Sequence, residues 1–193
     1  MIGGLVLAAG QGSRFGGAKQ LAELDGRPLL EHALAAMAAS PVDQVVVVLG
    51  SGAEAVLGRV DLHGAEPVVC ERWDEGQAAS LAKGLAELSD CEAVVVTLGD
   101  QPDMSPEAVR RVIGARGEGA SAVRATYFGA PGHPVLLERE LFDRLRDVTG
   151  DHGARNVLVS VGPREVPCED LGGGADVDTP AQLDALRAGG PVA

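Results

Sequence analysis

The tightest constraint on this chain is a series of short, uninterrupted apolar segments separated by stretches of helical length. Ile2–Ala8, Gln44–Leu49, Glu66–Val69 and Ala93–Leu98 read as strands. Their apolar residues are continuous rather than alternating, the pattern of strands covered on both faces. Between them, Pro28–Ala39, Ala53–Val60 and Gly76–Leu88 are rich in Ala, Leu and Glu and read as helices. Pro28 suits a first helical position, and Ser40-Pro41 a stop. Such alternation builds a mainly parallel sheet with right-handed crossovers. The expected fold is therefore α/β, a three-layer αβα sandwich around a mainly parallel, Rossmann-like sheet.

The second half is less regular. Pro106–Ala115 reads as a helix with Ser105 as its N-cap, and Ser121–Thr126 and Pro134–Leu137 as strands around the connector Tyr127–His133. Glu138–Arg146, Ala154–Val159 and Pro180–Arg187 have helical composition, Gly172-Gly173-Gly174 breaks the chain before the short run Ala175–Val177, and Gly189–Ala193 reads as a frayed tail. The 193 residues show no internal repeat and no low-complexity linker, so one continuous domain over 1–193 is expected.

Charge and composition exclude several classes. With 16 Lys+Arg against 28 Asp+Glu the net charge is −12, which argues against a nucleic-acid binder and its basic face. Phe15, Trp73, Tyr127, Phe128 and Phe142 are too scattered for a base-stacking platform. Apolar runs such as Val45–Leu49 fall far short of the ~20 residues of a membrane span, and Ile2–Ala9 lacks a basic lead-in, so no membrane or signal segment is expected. Cys70, Cys91 and Cys168 lack metal-like spacing and read as reduced, packed thiols of a cytoplasmic protein.

In open parallel sheets ligands bind beyond the carboxyl ends of the strands. After the first strand comes Gly10-Gln11-Gly12-Ser13-Arg14-Phe15-Gly16-Gly17-Ala18-Lys19. Glycines let backbone N–H groups approach an anion, and Arg14 and Lys19 add positive charge, so the loop suits a triphosphate. A solvated turn with incidental charges is the plainer reading. A Walker loop is ruled out, because Gln20 stands where that motif needs Ser or Thr. After the fourth strand, Asp100 in Gly99-Asp100-Gln101-Pro102-Asp103 is placed for a hard cation, which takes one or two carboxylates plus phosphate oxygens. A turn into the Ser105 cap competes for Asp100 and is preferred for Asp103. In Asp176-Val177-Asp178-Thr179-Pro180, Asp178 or Thr179 would cap the last helix, and Asp178 is a metal candidate only if Asp100 lies nearby.

Gly50-Ser51-Gly52-Ala53-Glu54-Ala55 matches a dinucleotide fingerprint, but it follows the second strand and lacks a convincing acidic partner downstream, so tight packing of the turn is preferred. The four histidines lack ligand spacing, His32 reads as structural, and no Gly-x-Ser-x-Gly elbow occurs.

The motif set resembles the molybdenum cofactor cytidylyltransferase family, within the nucleotidyltransferase superfamily of the GT-A type. The resemblance spans Leu7-Ala8-Ala9-Gly10 through Arg14 and Lys19, Gly76–Leu81, Leu98–Pro102, Gly132-His133-Pro134-Val135, Gly150–Arg155 and Asp176–Pro180. It implies a nucleotide-binding half of about 1–104 and an acceptor-side half of about 105–193. Leu7, Ala8, Ala9, Gly10, Gly12 and Ser13 would form the nucleotide loop, with Gly76 and Ser80 near base and ribose. Arg14, Lys19 and Asp100 would be catalytic, Asp100 and Asp178 would hold Mg2+, and His133 would meet the acceptor. Ala9 stands where guanylyl-transferring relatives carry glycine, which favours CTP over GTP.

By that resemblance, a phosphate oxygen on a phosphorylated pterin attacks the α-phosphorus of CTP, and a molybdenum hydroxylase or its maturation factor receives the product. Rival readings are a guanylyltransferase, a transferase for a sugar or lipid-precursor phosphate, or a cofactor-handing chaperone for molybdenum hydroxylases.

Overall fold

The computed structural model describes residues 1–117, 119–150, 153–172 and 174–189. Asp151 and His152 of the Gly150–Arg155 motif, Gly173, and residues 190–193 of the tail lie outside them. The chain opens with β1 (Ile2–Ala8), then a small hairpin of β2 (Glu23–Leu24) and β3 (Arg27–Pro28). Next come α1 (Leu29–Ala38), β4 (Gln44–Leu49), α2 (Ala53–Leu57), β5 (Glu66–Val69), α3 (Gln77–Glu87) and β6 (Ala93–Leu98). The second half carries α4 (Pro106–Gly114), β7 (Ala122–Tyr127), β8 (Ala130–Glu138), α5 (Phe142–Arg146), α6 (Gly153–Val161), β9 (Arg164–Pro167) and α7 (Pro180–Arg187).

Seven strands form one sheet in the order β5-β4-β1-β6-β8-β7-β9. Only β8 runs against its neighbours, pairing antiparallel with β6 and β7. From β1 the chain steps outward to β4 and β5, then returns past β1 to β6. Right-handed crossovers therefore put α1 and α2 on one face and α3 on the other. Core packing follows this division. Val6 and Ala8 of β1 join Leu30, Leu34 and Met37 of α1, with Val109 and Val112 of α4. Leu5 and Leu7 face the opposite side, against Leu81 and Leu85 of α3, Phe142 and Leu145 of α5, and Val157 of α6. The mainly parallel αβα sandwich is thus as expected.

Several elements differ from the sequence expectations. The connector before Pro134 is itself strand: β8 starts at Ala130, and a register shift between Arg124 and Thr126 lets Pro131 pair opposite Thr126. The expected helix from Glu138 begins only at Phe142, because the Glu138 and Arg139 amides donate to the Ser121 and Glu92 carbonyls. α1 starts one residue after Pro28, which sits extended at the cap and pairs with Glu23. α2 stops at Leu57 with Gly58 as its C-cap. The short run Ala175–Val177 joins no sheet. Instead its Val177 amide donates to the Asp100 carbonyl at 3.0 Å, and Val177 is buried with Leu24, Leu29 and Leu183.

All three cysteines are free and buried, as expected of packed thiols. His32 is structural: its Nε2 lies 2.9 Å from the Leu24 carbonyl oxygen in α1's first turns. Among the described residues, no helix is long and apolar enough to cross a membrane.

Candidate functional site

The sheet reverses its order between β1 and β6, the topological switch point where a crevice opens beyond the strand ends. Leu7 pairs with Leu98 at that edge, and the Gly99 amide donates to the Leu7 carbonyl at 2.9 Å, so Asp100 emerges beside the loop that follows β1. A cleft of about 590 Å³ opens here. Leu7, Ala8, Ala9, Gly10, Gly12, Ser13, Arg14, Lys19, Gly76, Ser80, Asp100 and Asp178 all line it. Every nucleotide, catalytic and metal candidate from the sequence is therefore gathered in one place. The acceptor candidate, His133, lines an adjoining pocket instead.

The loop after β1 has a defined shape. Gly12 takes a φ of +66°, and a Cβ there would come within 2.6 Å of the Gly17 carbonyl oxygen, so the position needs glycine. The Gly12 carbonyl accepts from the Phe15 and Gly16 amides. Gln20, buried at the base, donates from Nε2 to the carbonyls of Ala8 at 3.0 Å and Gly10 at 2.6 Å. Sequence reading took Gln20 only as a missing hydroxyl. In the fold it clamps both ends of the turn from β1 into the loop.

Lys19 stands between the two aspartates. Its Nζ lies 2.6 Å from Asp100 Oδ2 and 3.0 Å from Asp178 Oδ1, with the lysine side chain 13% exposed. Burial works against its charged form, yet the charges and hydrogen bonds of Asp100 and Asp178 outweigh it, and its pKa lies above the ordinary value. Arg14 reaches the other Asp178 oxygen, Oδ2, at 3.0 Å. Asp100 Oδ1 is buried with no hydrogen-bond donor. An orphaned carboxylate oxygen in a cleft costs free energy unless a ligand or cation meets it.

Asp178 is free to face the cleft because Thr179 makes the α7 cap. The Thr179 hydroxyl accepts from the Gln182 amide in a capping box, and Gln182 Oε1 accepts from the amides of Asp178 and Thr179 at 2.8 and 3.0 Å. A second tie holds the segment: Gln101 Nε2 donates to Asp176 Oδ1 at 2.7 Å. Burial, aided by the Asp100 charge, raises the Asp176 pKa. Asp103 is exposed in the turn before Ser105, whose hydroxyl accepts from the Glu107 amide.

α3 points its N-terminus into the cleft, with Gly76 as cap and Gln77 in the lining. Trp73 and Asp74 also line it, and sequence reading passed over both. An apolar-run search has no way to see a lone tryptophan in a short 3-10 turn. The dinucleotide-like glycine is a packing device: a Cβ at Gly50 would lie 2.5 Å from the Ala9 oxygen and 2.6 Å from Trp73 Cβ. Gly50→Ala is expected to lower stability by about 1–3 kcal/mol through overpacking, read as a lower urea midpoint with unchanged slope.

His133 sits where β8 passes the cleft, its carbonyl accepting from the Tyr127 hydroxyl at 2.9 Å. Burial pushes its imidazole down to about 4, with Asp100 pulling weakly the other way, so it is neutral at pH 7.

A doubly wound sheet with a glycine-rich loop and a cleft at its switch point is the architecture of a nucleotide-binding α/β protein. Residues 4–165 match the MobA-like NTP transferase domain family, and the chain belongs to it. Nicotine blue oxidoreductase of Paenarthrobacter nicotinovorans is 34% identical, covering 96% of both chains. A solved structure of an Rv0371c homologue from Mycobacterium sp. strain JC1 is 33% identical with a TM-score of 0.85, covering 97% of this chain and 96% of that one. The Rv0371c structure from Mycobacterium tuberculosis H37Rv in complex with manganese is 31% identical with a TM-score of 0.75, covering 86% and 88%.

Proposed function

We propose that the chain acts as one domain, in the cytoplasm, to transfer CMP from CTP to the phosphate of a phosphorylated pterin, molybdopterin, with release of pyrophosphate. The observation that carries this reading is the meeting of Lys19, Asp100 and Asp178 at the mouth of the glycine loop. In the reaction an acceptor phosphate oxygen bonds to the α-phosphorus as the bond to the β-bridging oxygen breaks, and pyrophosphate leaves with that electron pair. The attacking oxygen is already anionic near neutral pH, so alignment and charge neutralisation are the main requirements.

Arg14, Lys19 and the loop amides would hold the β- and γ-phosphates and stabilise the leaving group. The N-terminus of α3 and Ser80 would face the ribose, and Trp73 would flank the base. Asp100 and Asp178 fit a divalent ion: the donors are hard oxygens, Asp100 Oδ1 lacks a partner, and the gap between them already accommodates a cationic nitrogen. When bound there, magnesium supplies Lewis-acid stabilisation of phosphate oxygens. Among the described residues no group of three or more His, Cys, Asp or Glu could hold a metal alone, so phosphate oxygens would complete the shell.

A nucleotide panel with magnesium and molybdopterin tests the reading through pyrophosphate release. Turnover is expected with CTP and not GTP, and with the phosphopterin rather than a sugar phosphate. Equal turnover with GTP would overturn the nucleotide choice; silence with every triphosphate would overturn transfer itself. Hand-over of the product to a molybdenum hydroxylase or its maturation factor belongs to the same reading. A second reading, redox chemistry, is favoured by the name of the 34% identical Paenarthrobacter relative. Oxidation of a reduced nicotinamide nucleotide by a dye acceptor would favour it over transfer.

A further inference from the structure

Asp178 reaches the cleft on a segment, residues 174–178, that belongs to no helix or sheet. Such a stretch has no ladder of backbone hydrogen bonds, so its path is set by individual contacts. Three of these lie at its downstream end: Gln101 holds the Asp176 carboxylate, the Asp100 carbonyl holds the Val177 amide, and the Val177 side chain is buried. At the upstream end the contact is with Tyr127, the last residue of β7.

Gly174 takes a φ of +84°, and a Cβ there would come within 2.5, 2.7 and 2.9 Å of Tyr127 Cδ2, Cε2 and Cγ. Closeness to three atoms of one ring places the bare backbone on the ring's face. A Cβ at Gly132 of β8 would lie 2.8 and 2.9 Å from Cδ2 and Cε2. The half-buried ring is thus confined by two glycines, and a side chain at either would collide with it. Its hydroxyl donates to the His133 carbonyl at 2.9 Å, and burial pushes the phenol up to about 12, so it remains a donor at working pH. One side chain therefore touches both the strand that bears His133 and the segment that bears Asp178.

We propose that Tyr127 is a positioning residue: its ring is the seat on which Gly174 rests, and it directs residues 174–178 so that the Asp178 carboxylate meets Lys19 and Asp100. What Asp178 does there rests on the transfer reading above; the seat itself does not. Without the ring face the segment keeps its downstream ties but gains freedom to turn about them. Ligating constellations tolerate a displacement of only about 0.5 Å, so a looser segment costs ion affinity before it costs the fold.

The experiment compares Tyr127→Leu, which keeps an apolar side chain but loses the flat face, with Tyr127→Phe and Gly174→Ala in the full chain. The readouts are hydrogen exchange of the Val177 amide and, by calorimetry, manganese affinity in the presence of CTP. Tyr127→Leu and Gly174→Ala are each expected to speed the exchange about fivefold or more and to weaken manganese binding about five- to tenfold. Tyr127→Phe should stay within twofold of the unaltered chain on both. Tyr127→Leu combined with Asp178→Asn should bind manganese no more weakly than Asp178→Asn alone, because the ring acts through that carboxylate; a general structural loss would add instead. Gly174 lies on the segment itself, outside the sheet, so its variant decides the matter even if Tyr127→Leu folds poorly. Unchanged exchange would overturn the seat, and faster exchange with undiminished manganese affinity would overturn its part in placing Asp178. Faster exchange in the variants of a chain that, unaltered, binds no manganese with CTP would leave the seat standing and count against the transfer reading alone.

Discussion

Asp100→Ala should lower turnover at saturating magnesium by on the order of a hundred- to a thousandfold, while circular dichroism and the thermal midpoint stay near those of the unaltered chain. The fold is spared because the Asp100 carbonyl, not its side chain, receives the Val177 amide, and Lys19 keeps Asp178 as a partner at 3.0 Å. The chemistry suffers because the Asp100 side chain supplies both the orphaned Oδ1 and the closer contact to Lys19. Manganese affinity in the presence of CTP, measured by calorimetry, should fall in parallel. Near-normal rates with magnesium in excess would remove Asp100 from the site.

Lys19→Ala should cost about 2–4 kcal/mol of transition-state stabilisation, or roughly thirty- to several-hundredfold in kcat/KM. Lys19 is buried enough for its charge to act through little solvent, and Asp100 and Asp178 keep it protonated above its ordinary range, so it remains cationic at any working pH. Arg14, whose side chain is 74% exposed, acts through solvent that screens its charge and so does not replace it. The measurement is kcat/KM for CTP together with the denaturation midpoint. A variant that loses stability but keeps its rate would show Lys19 to be a structural counter-ion and nothing more.

Legibility in the sequence followed burial. β1, β4 and β6 were plain because both faces are covered, while β5, exposed at the sheet edge, was legible from Val68-Val69 and its place in the alternation; all four have the limits read from the sequence. β9 escaped because Arg164–Pro167 is polar and lies at the sheet edge, where one side needs no apolar cover. The β2–β3 hairpin escaped for its brevity, though Asp25-Gly26, both at positive φ, is the turn such a hairpin demands. Strand ends exposed the loop, Lys19 and Asp100 as a group, since one rule places all of them at the carboxyl edge. Asp178 could be suspected but not placed, because its arrival depends on the Thr179 cap and the Asp176–Gln101 bond, both tertiary facts. Gln20 and Trp73 act through neighbours brought together by the fold, Ala8 and Gly10 for the one and Gly50 for the other, and local pattern carries no mark of them.

The tie between the Asp100 carbonyl and Val177 has a consequence for the order in which competence is gained. Lys19 and Asp178 are separated by 159 positions, so a ribosome-bound nascent chain that has completed β6 already owns its glycine loop and its first carboxylate but not its second. Only when the final strap is threaded across the mouth of the crevice does the acidic couple exist. Vectorial synthesis thereby withholds the Asp100–Asp178 pair from every partial product, and a nonsense mutation at any of positions 101 to 178 leaves a chain with half a couple.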